Sequence, residues 1–175
     1  MERSDIMEFK KILPSELDGV FETVGKGWFL LGAGSAADHN MMTCSWGGLG
    51  VLWNKDVSFI FVRPTRHTFG YVENELKYSI CLFDEEYKDA LNFCGTHSGR
   101  DCDKAQEAGL TPIDIDGTVA FAEAKTVLIC EKVYFDDIKP EQFLEYNLRK
   151  HYPKSDYHRM YVGEIKSVYT KEDVA

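Results

Sequence analysis

The sequence predicts a mainly β protein, an antiparallel barrel with short helices set into its connections. About seven strand-like runs follow one another, mostly across short turns, and no steady β-α-β alternation appears, which disfavours a doubly wound parallel sheet. Closing so many short strands into a barrel hides their edges. At 175 residues, 44% hydrophobic and 13% aromatic, the chain has apolar surface for one packed domain over 1–175 and too little length for two.

Residues 9–12 read as a short strand, and Leu17, Val20, Phe21 and Val24 recur at helical spacing after Pro14. Gly25 and Gly27 end that helix. The apolar run Trp28-Phe29-Leu30-Leu31 reads as a buried strand, closed by the small residues of 32–37. Alternation then puts Met41, Thr43 and Ser45 on one strand face, so two hydroxyls point the same way. Residues 51–53 and 57–62 form a hairpin about Asn54-Lys55-Asp56, and its second strand, apolar on both faces, belongs inside the sheet. Pro64 halts the ladder, and Thr65 is placed to cap a short helix carrying Phe69 and Val72.

A strand over 77–83 and a helix over 85–93 follow, the helix turning Tyr87 and Leu91 inward. Beyond Pro112 a polar connector leads to Val119-Ala120-Phe121, and 124–135 is the longest β-prone run. Pro140 opens a helix with Phe143, Leu144 and Leu148 that ends near His151-Tyr152-Pro153. The last strand spans 157–169, where Gly163 marks a bulge or a close backbone approach.

The formal charge of −9 excludes nucleic acid and anionic membrane as partners, since neither attracts this chain at long range. Any anion must be held by local cations. No repeat, low-complexity tract or membrane-length apolar segment appears. The five cysteines, Cys44, Cys81, Cys94, Cys102 and Cys130, show no C-x-x-C pair and no zinc spacing, and no secretory leader is apparent, so free thiols in the cytoplasm are expected. Cys94 and His97 have the spacing of a nucleophile and its base but lack a third orienting residue.

Chemistry concentrates in three separated segments. In Gly95-Thr96-His97-Ser98-Gly99-Arg100-Asp101-Cys102-Asp103-Lys104, Ser98 is placed to cap a helix that continues through Ala105 and Ala108 to Gly109. The run reads either as an ordinary capped helix with solvated charges or as a seat for an anion, phosphate above all, built from backbone N–H groups, Ser98, Arg100 and Lys104. Thr43 and Ser45 on their strand face, and Arg63, Arg66, Thr65 and Thr68 after the next strand pair, repeat the pattern of hydroxyls and cations. Trp46, Trp53 and Phe69 lie close enough in sequence to flank a flat ring.

Together with His158-Arg159-Met160-Tyr161-Val162-Gly163-Glu164-Ile165, the runs Asn40-Met41-Met42-Thr43-Cys44-Ser45-Trp46-Gly47, Arg63-Pro64-Thr65-Arg66-His67-Thr68 and Ser98-Gly99-Arg100-Asp101-Cys102-Asp103-Lys104 resemble the motifs of the flavin reductase-like FMN-binding split-barrel family, in its flavoredoxin-type branch. They occur in the family's order over about residues 26–171. The resemblance implies a split barrel with a Greek-key antiparallel core, and a homodimer with FMN near the subunit interface. It also implies hydride transfer between NADH or NADPH and flavin.

By the same resemblance Asn40, Thr43, Ser45 and Trp46 line the flavin, with Cys44 beside them as a small filler. Arg63, Arg66 and Thr68 hold the phosphate and ribityl chain with Ser98, Gly99 and Arg100. Lys104 lies near the ring or the phosphate, and His158 faces the flavin or the nicotinamide. His67 departs from the tyrosine of many relatives. An NAD(P)H-dependent flavin reductase is the first functional expectation. An FMN-holding carrier that exchanges electrons with a protein partner is the second, and a flavin-binding module without redox activity the third.

Overall fold

In a computed structural model, which describes residues 9–13 and 19–171, the strands are β1 (Phe9–Ile12), β2 (Phe29–Gly34), β3 (His39–Cys44), β4 (Gly47–Leu52), β5 (Lys55–Val62), β6 (Lys77–Leu82), β7 (Pro112–Ile115), β8 (Thr118–Phe121), β9 (Thr126–Asp137) and β10 (Arg159–Lys171). Seven form the path β3-β2-β6-β9-β10-β5-β4, with β1 added against β10, and every pairing is antiparallel. Strands distant in the chain lie side by side, as Greek-key connections require. The architecture is mainly β with a few short helices, as the sequence leads one to expect.

The reason lies in how both faces of the central strands are covered. All of β2 is buried: Phe29, Leu31 and Ala33 join one core with Ile60, Tyr78 and Tyr161, while Leu30 joins a second with Met41, Leu91 and Phe121. Burying each of Phe29, Leu30 and Leu31 stabilises the fold by about 1.5–3 kcal/mol. The second core is closed by the hairpin of β7 and β8 and by helices α2 (Lys88–Thr96) and α3 (Lys104–Ala108).

Several local expectations need correction. The described residues hold ten strands against about seven expected, and one of them falls where a polar connector was expected: the stretch after Pro112 is β7, paired to β8 across Asp116-Gly117, both at positive φ (49° and 83°). The β4–β5 turn is Trp53-Asn54, at φ 52° and 56°, rather than the three residues after Trp53. Helix α1 (His67–Asn74) is entered from Arg66 without a side-chain cap, so Thr65 does not serve as one. In place of the α-helix expected from Pro140 to His151 there are 3₁₀ turns at Pro140–Gln142 and Tyr146–His151. Near the start, Glu22–Gly27 forms a π-helical turn in which Val24 packs on the first core while Phe21 stays exposed. Leu17 and Pro14 lie outside the described residues.

Gly163 meets both of its readings. The β9–β10 register shifts beside it, and a Cβ there would stand 2.2 Å from Tyr78 Oη, which shares a short hydrogen bond with Ser58 inside the barrel.

Candidate functional site

Strand register assembles the first half of the site. Pairing of Arg159 with Val62 sets His158, just before β10, level with Arg63, just after β5. Cys44 ends β3 and Gly47 opens β4 opposite Ile60, so Ser45 and Trp46 turn at the same rim. Thr43, Cys44, Ser45 and Trp46 thus line a cavity of about 190 Å³ with Phe61, Arg63, Arg66 and His158. Trp46, 45% exposed, sets its ring 5.3 Å from that of His158 and 5.4 Å from that of His151.

Helix packing assembles the second half. Gly95 lets α2 lie against β3, since a Cβ there would come 3.3 Å from Thr43 Cβ, and the Thr43 hydroxyl donates to the Leu91 carbonyl at 2.5 Å. The loop leaving α2 therefore lies over the start of α1. Asn40, Arg66, Thr68, Ser98, Gly99, Arg100 and Lys104 line a second cavity of about 130 Å³, joined by Thr65, His67 and His97. Arg66 lines both cavities. All thirteen residues that the resemblance places about the flavin and the nicotinamide thus border one cavity or the other.

Their partners differ from the sequence picture. Arg63, expected on the phosphate and ribityl chain, lines the first cavity and not the second; it is 2.8 Å from Asp156 Oδ1 and donates to the His151 carbonyl. Arg66 donates to the Gly95 carbonyl at 2.8 Å, and Arg100 to the Thr65 carbonyl at 3.2 Å. Lys104, 4% exposed, donates to the carbonyls of Cys94 (2.8 Å) and His97 (3.2 Å), which places it with the second cavity and away from the first. Burial holds its ammonium below the usual lysine range. The helix there begins at Lys104, capped by Asp103, whose carboxylate accepts from Gln106 N; Ser98 instead accepts from Arg100 N. Asn40 donates to Thr68 Oγ1 at 2.8 Å, and a Cβ on Gly99 would fall 2.2 Å from Asn40 Oδ1, so a larger residue at 99 would push Asn40 from its place beside Thr68.

Trp53 and Phe69 do not flank this space. Trp53 sits in the β4–β5 turn against Tyr134, and Phe69 packs on the barrel core beside Tyr161. The Cys94–His97 pair is not a nucleophile and base: burial pushes the Cys94 thiol up to about 11, and the His97 ring stacks on Phe93 at 4.0 Å. Burial likewise raises Cys44 to about 12, which leaves a neutral apolar wall. All five cysteines are free thiols.

Sequence reasoning singled out His158 but missed the groups that hold it, Tyr152 and Asp156. His158, 7% exposed, shares a 2.8 Å hydrogen bond through Nδ1 with the hydroxyl of buried Tyr152, whose ring lies under the Arg63 guanidinium at 5.0 Å. Burial, with Arg63 next, lowers His158 to about 4, so its imidazole is neutral at ordinary pH. The density of Tyr, His and Asp around Pro153 was the available signal. Among the described residues no cluster of ligands suits a metal ion, and no helix is long and apolar enough to cross a membrane.

The donor set of the second cavity is of a kind that holds an anion, and the adjoining first cavity is walled in part by the rings of Trp46, Phe61 and His158. Superposition on solved structures gives a TM-score of 0.68 with an FMN-binding domain of a flavin reductase-like enzyme from Shewanella baltica OS155, at 14% identity over 94% of this chain and 78% of that one. Flavoredoxin of Desulfovibrio vulgaris (Miyazaki F) gives 0.65 at 19% identity, over 83% and 69%. An NADH:FAD oxidoreductase of Streptomyces globisporus C-1027 gives 0.61 at 14%, over 83% and 75%. At such identities the likeness shows the fold, the split barrel. No curated protein matches the chain. The model of the family described as "Flavin reductase like domain" matches residues 21–175, and the chain belongs to that family.

Proposed function

We propose that this chain is one FMN-binding domain over 1–175, working as an NAD(P)H-dependent flavin oxidoreductase. One observation carries the reading: Arg66, Arg100 and Lys104 meet at one cavity, held by backbone carbonyls alone and with no carboxylate partner among the described residues, in a chain of net charge −9. Three cations so arranged leave a strong positive potential, which a phosphate dianion offsets.

In this reading Arg66, Arg100 and Lys104 hold the FMN phosphate, with Ser98 and Thr68 as hydroxyl partners. Asn40 keeps Thr68 oriented. The first cavity takes the ring, where Trp46 and Phe61 exclude water and Cys44 forms a neutral wall. The flavin, when bound, supplies the hydride chemistry, and the chain positions it. No side chain need act as a nucleophile.

A homodimer belongs to the same proposal, supported by exposed apolar side chains such as Val51, Trp53, Phe135 and Leu144, which a second subunit would cover. Five free thiols fit a reducing, cytoplasmic setting. Arg100→Ala should weaken FMN by about 1.5–3 kcal/mol, or tenfold to a hundredfold, while riboflavin, which lacks the phosphate, binds as to wild type. Equal loss for both ligands would remove the phosphate assignment. NADH and NADPH oxidation by the yellow protein tests the enzymatic half, and a flavin-loaded protein oxidising neither would be a carrier.

A further inference from the structure

We infer that Tyr152 is a positioning residue that fixes the tautomer of His158, so that the imidazole presents an N–H donor from Nε2 to the first cavity. The Tyr152 hydroxyl is buried, and its one hydrogen-bond partner among the described residues is Nδ1 of His158 at 2.8 Å. A phenol that accepted from Nδ1–H would leave its own proton without an acceptor inside the protein, a cost of about 1–3 kcal/mol. The hydroxyl therefore donates, Nδ1 accepts, and the ring proton resides on Nε2. That nitrogen has no hydrogen-bond partner among the described residues and is not sealed from solvent, so it opens toward the cavity that His158 lines.

The surroundings keep this donor uncharged. Arg63 at the end of β5 and Arg66 at the entry to α1 disfavour a second proton, and burial does so more strongly; Asp156 acts in the opposite sense but is neutralised by Arg63. Tyr152 below, His151 beyond the Trp46 ring and the protonated Cys44 thiol complete the titratable groups around it. The Ile138 N–H, bonded to the His158 carbonyl at 3.0 Å, holds the backbone against β9. A neutral N–H donor in an aromatic chamber suits a carbonyl oxygen on a planar ring or on a carboxamide, the groups that flavin and nicotinamide both carry. This role rests on the ring-chamber reading above, whereas the tautomer does not.

The test is a long-range proton–nitrogen correlation spectrum of flavin-free protein labelled with ¹⁵N-histidine, the His158 signals assigned with His158→Gln. Nε2 protonated and Nδ1 pyridine-like on both sides of neutral pH is the expected result. A charged ring at neutral pH, or a proton on Nδ1, would overturn the proposal. In Tyr152→Phe the pattern should relax toward a mixture of tautomers, and unchanged His158 signals would overturn it too. Should that variant not fold, the wild-type spectrum decides alone. Riboflavin titration of Tyr152→Phe should show a several-fold loss with the FMN-to-riboflavin affinity ratio preserved. Failure of wild type to bind any flavin would remove the ring-chamber reading and leave the tautomer standing.

Discussion

Arg63 and Arg66 leave the same strand end, yet their guanidinium groups have opposite company. Arg63 meets Asp156 at 2.8 Å and a backbone carbonyl, and the guanidinium beside it holds the Asp156 carboxyl below the usual carboxylate range. Among the described residues the Arg66 side chain meets only the Gly95 carbonyl, and Arg100 and Lys104 likewise have carbonyl partners. A carbonyl orients a cation without neutralising it, whereas a carboxylate does both. Arg63 is therefore a fastener: it ties the segment with Tyr152, Asp156 and His158 to the end of β5. The three carbonyl-held cations are the ones whose charge is left for a ligand.

The largest expected effect lies at Lys104, the most buried of the three. Lys104→Met should lower FMN affinity by about tenfold to a hundredfold, with riboflavin unaffected. Folding stability without flavin should stay within about 1 kcal/mol, because removing a desolvated charge offsets the lost carbonyl contacts. The pH dependence sharpens this. Burial lowers the folded-state pKa of Lys104 below its ordinary 10.5, so between the two values the unfolded chain binds more protons, and this group's contribution to stability rises with pH. Denaturant titrations of flavin-free protein should show any advantage of Lys104→Met over wild type shrinking as pH approaches 10.5. An advantage that grew with pH would mean that the ammonium is stabilising.

Arg63 and Arg66 themselves supply a sharper contrast of intermediate size. Arg66→Ala should cost about tenfold in FMN affinity and little for riboflavin. Arg63→Ala should lower both ligands by the same factor, since it frees the segment that carries His158 and leaves Asp156 without its counterion. Calorimetric titration of the two variants with the two ligands gives the four affinities needed. If Arg63→Ala proved selective for FMN, the distinction between fastener and phosphate ligand would fall.

How much of this was legible in the sequence follows from the range of each interaction. Alternation and apolar runs identified β2, β5, β9 and β10, because their burial is written residue by residue. The motif-bearing segments were legible as chemistry, and their members do share two cavities. What could not be read was the partner of each cation: Arg63 finds Asp156 only because β5 and β10 pair in one register, a contact spanning most of the chain. The missed β7 is a weak, half-polar strand that exists because β8 and the second core lie beside it. The helix expected after Pro140 is replaced by two short 3₁₀ turns. Leu144 and Leu148 stay exposed, so the segment gains little of the apolar burial that stabilises a short helix.

The smallest expected effect concerns Ser98, whose hydroxyl accepts from the Arg100 N–H at 3.2 Å and so shapes the loop that carries Arg100 to the Thr65 carbonyl. Since Asp103 caps α3, Ser98→Ala removes no helix cap and should leave thermal stability almost unchanged. The variant loses one neutral hydroxyl partner of the phosphate, worth about 0.5–1.5 kcal/mol, or roughly two- to tenfold in FMN affinity. Combining it with Arg100→Ala decides how the hydroxyl acts. If Ser98 contributes chiefly by positioning Arg100, the double variant binds FMN as weakly as Arg100→Ala alone; if it touches the phosphate itself, the two losses add. A Ser98→Ala loss as large as that of Lys104→Met would erase the distinction between neutral and carbonyl-held charged partners on which the comparison rests.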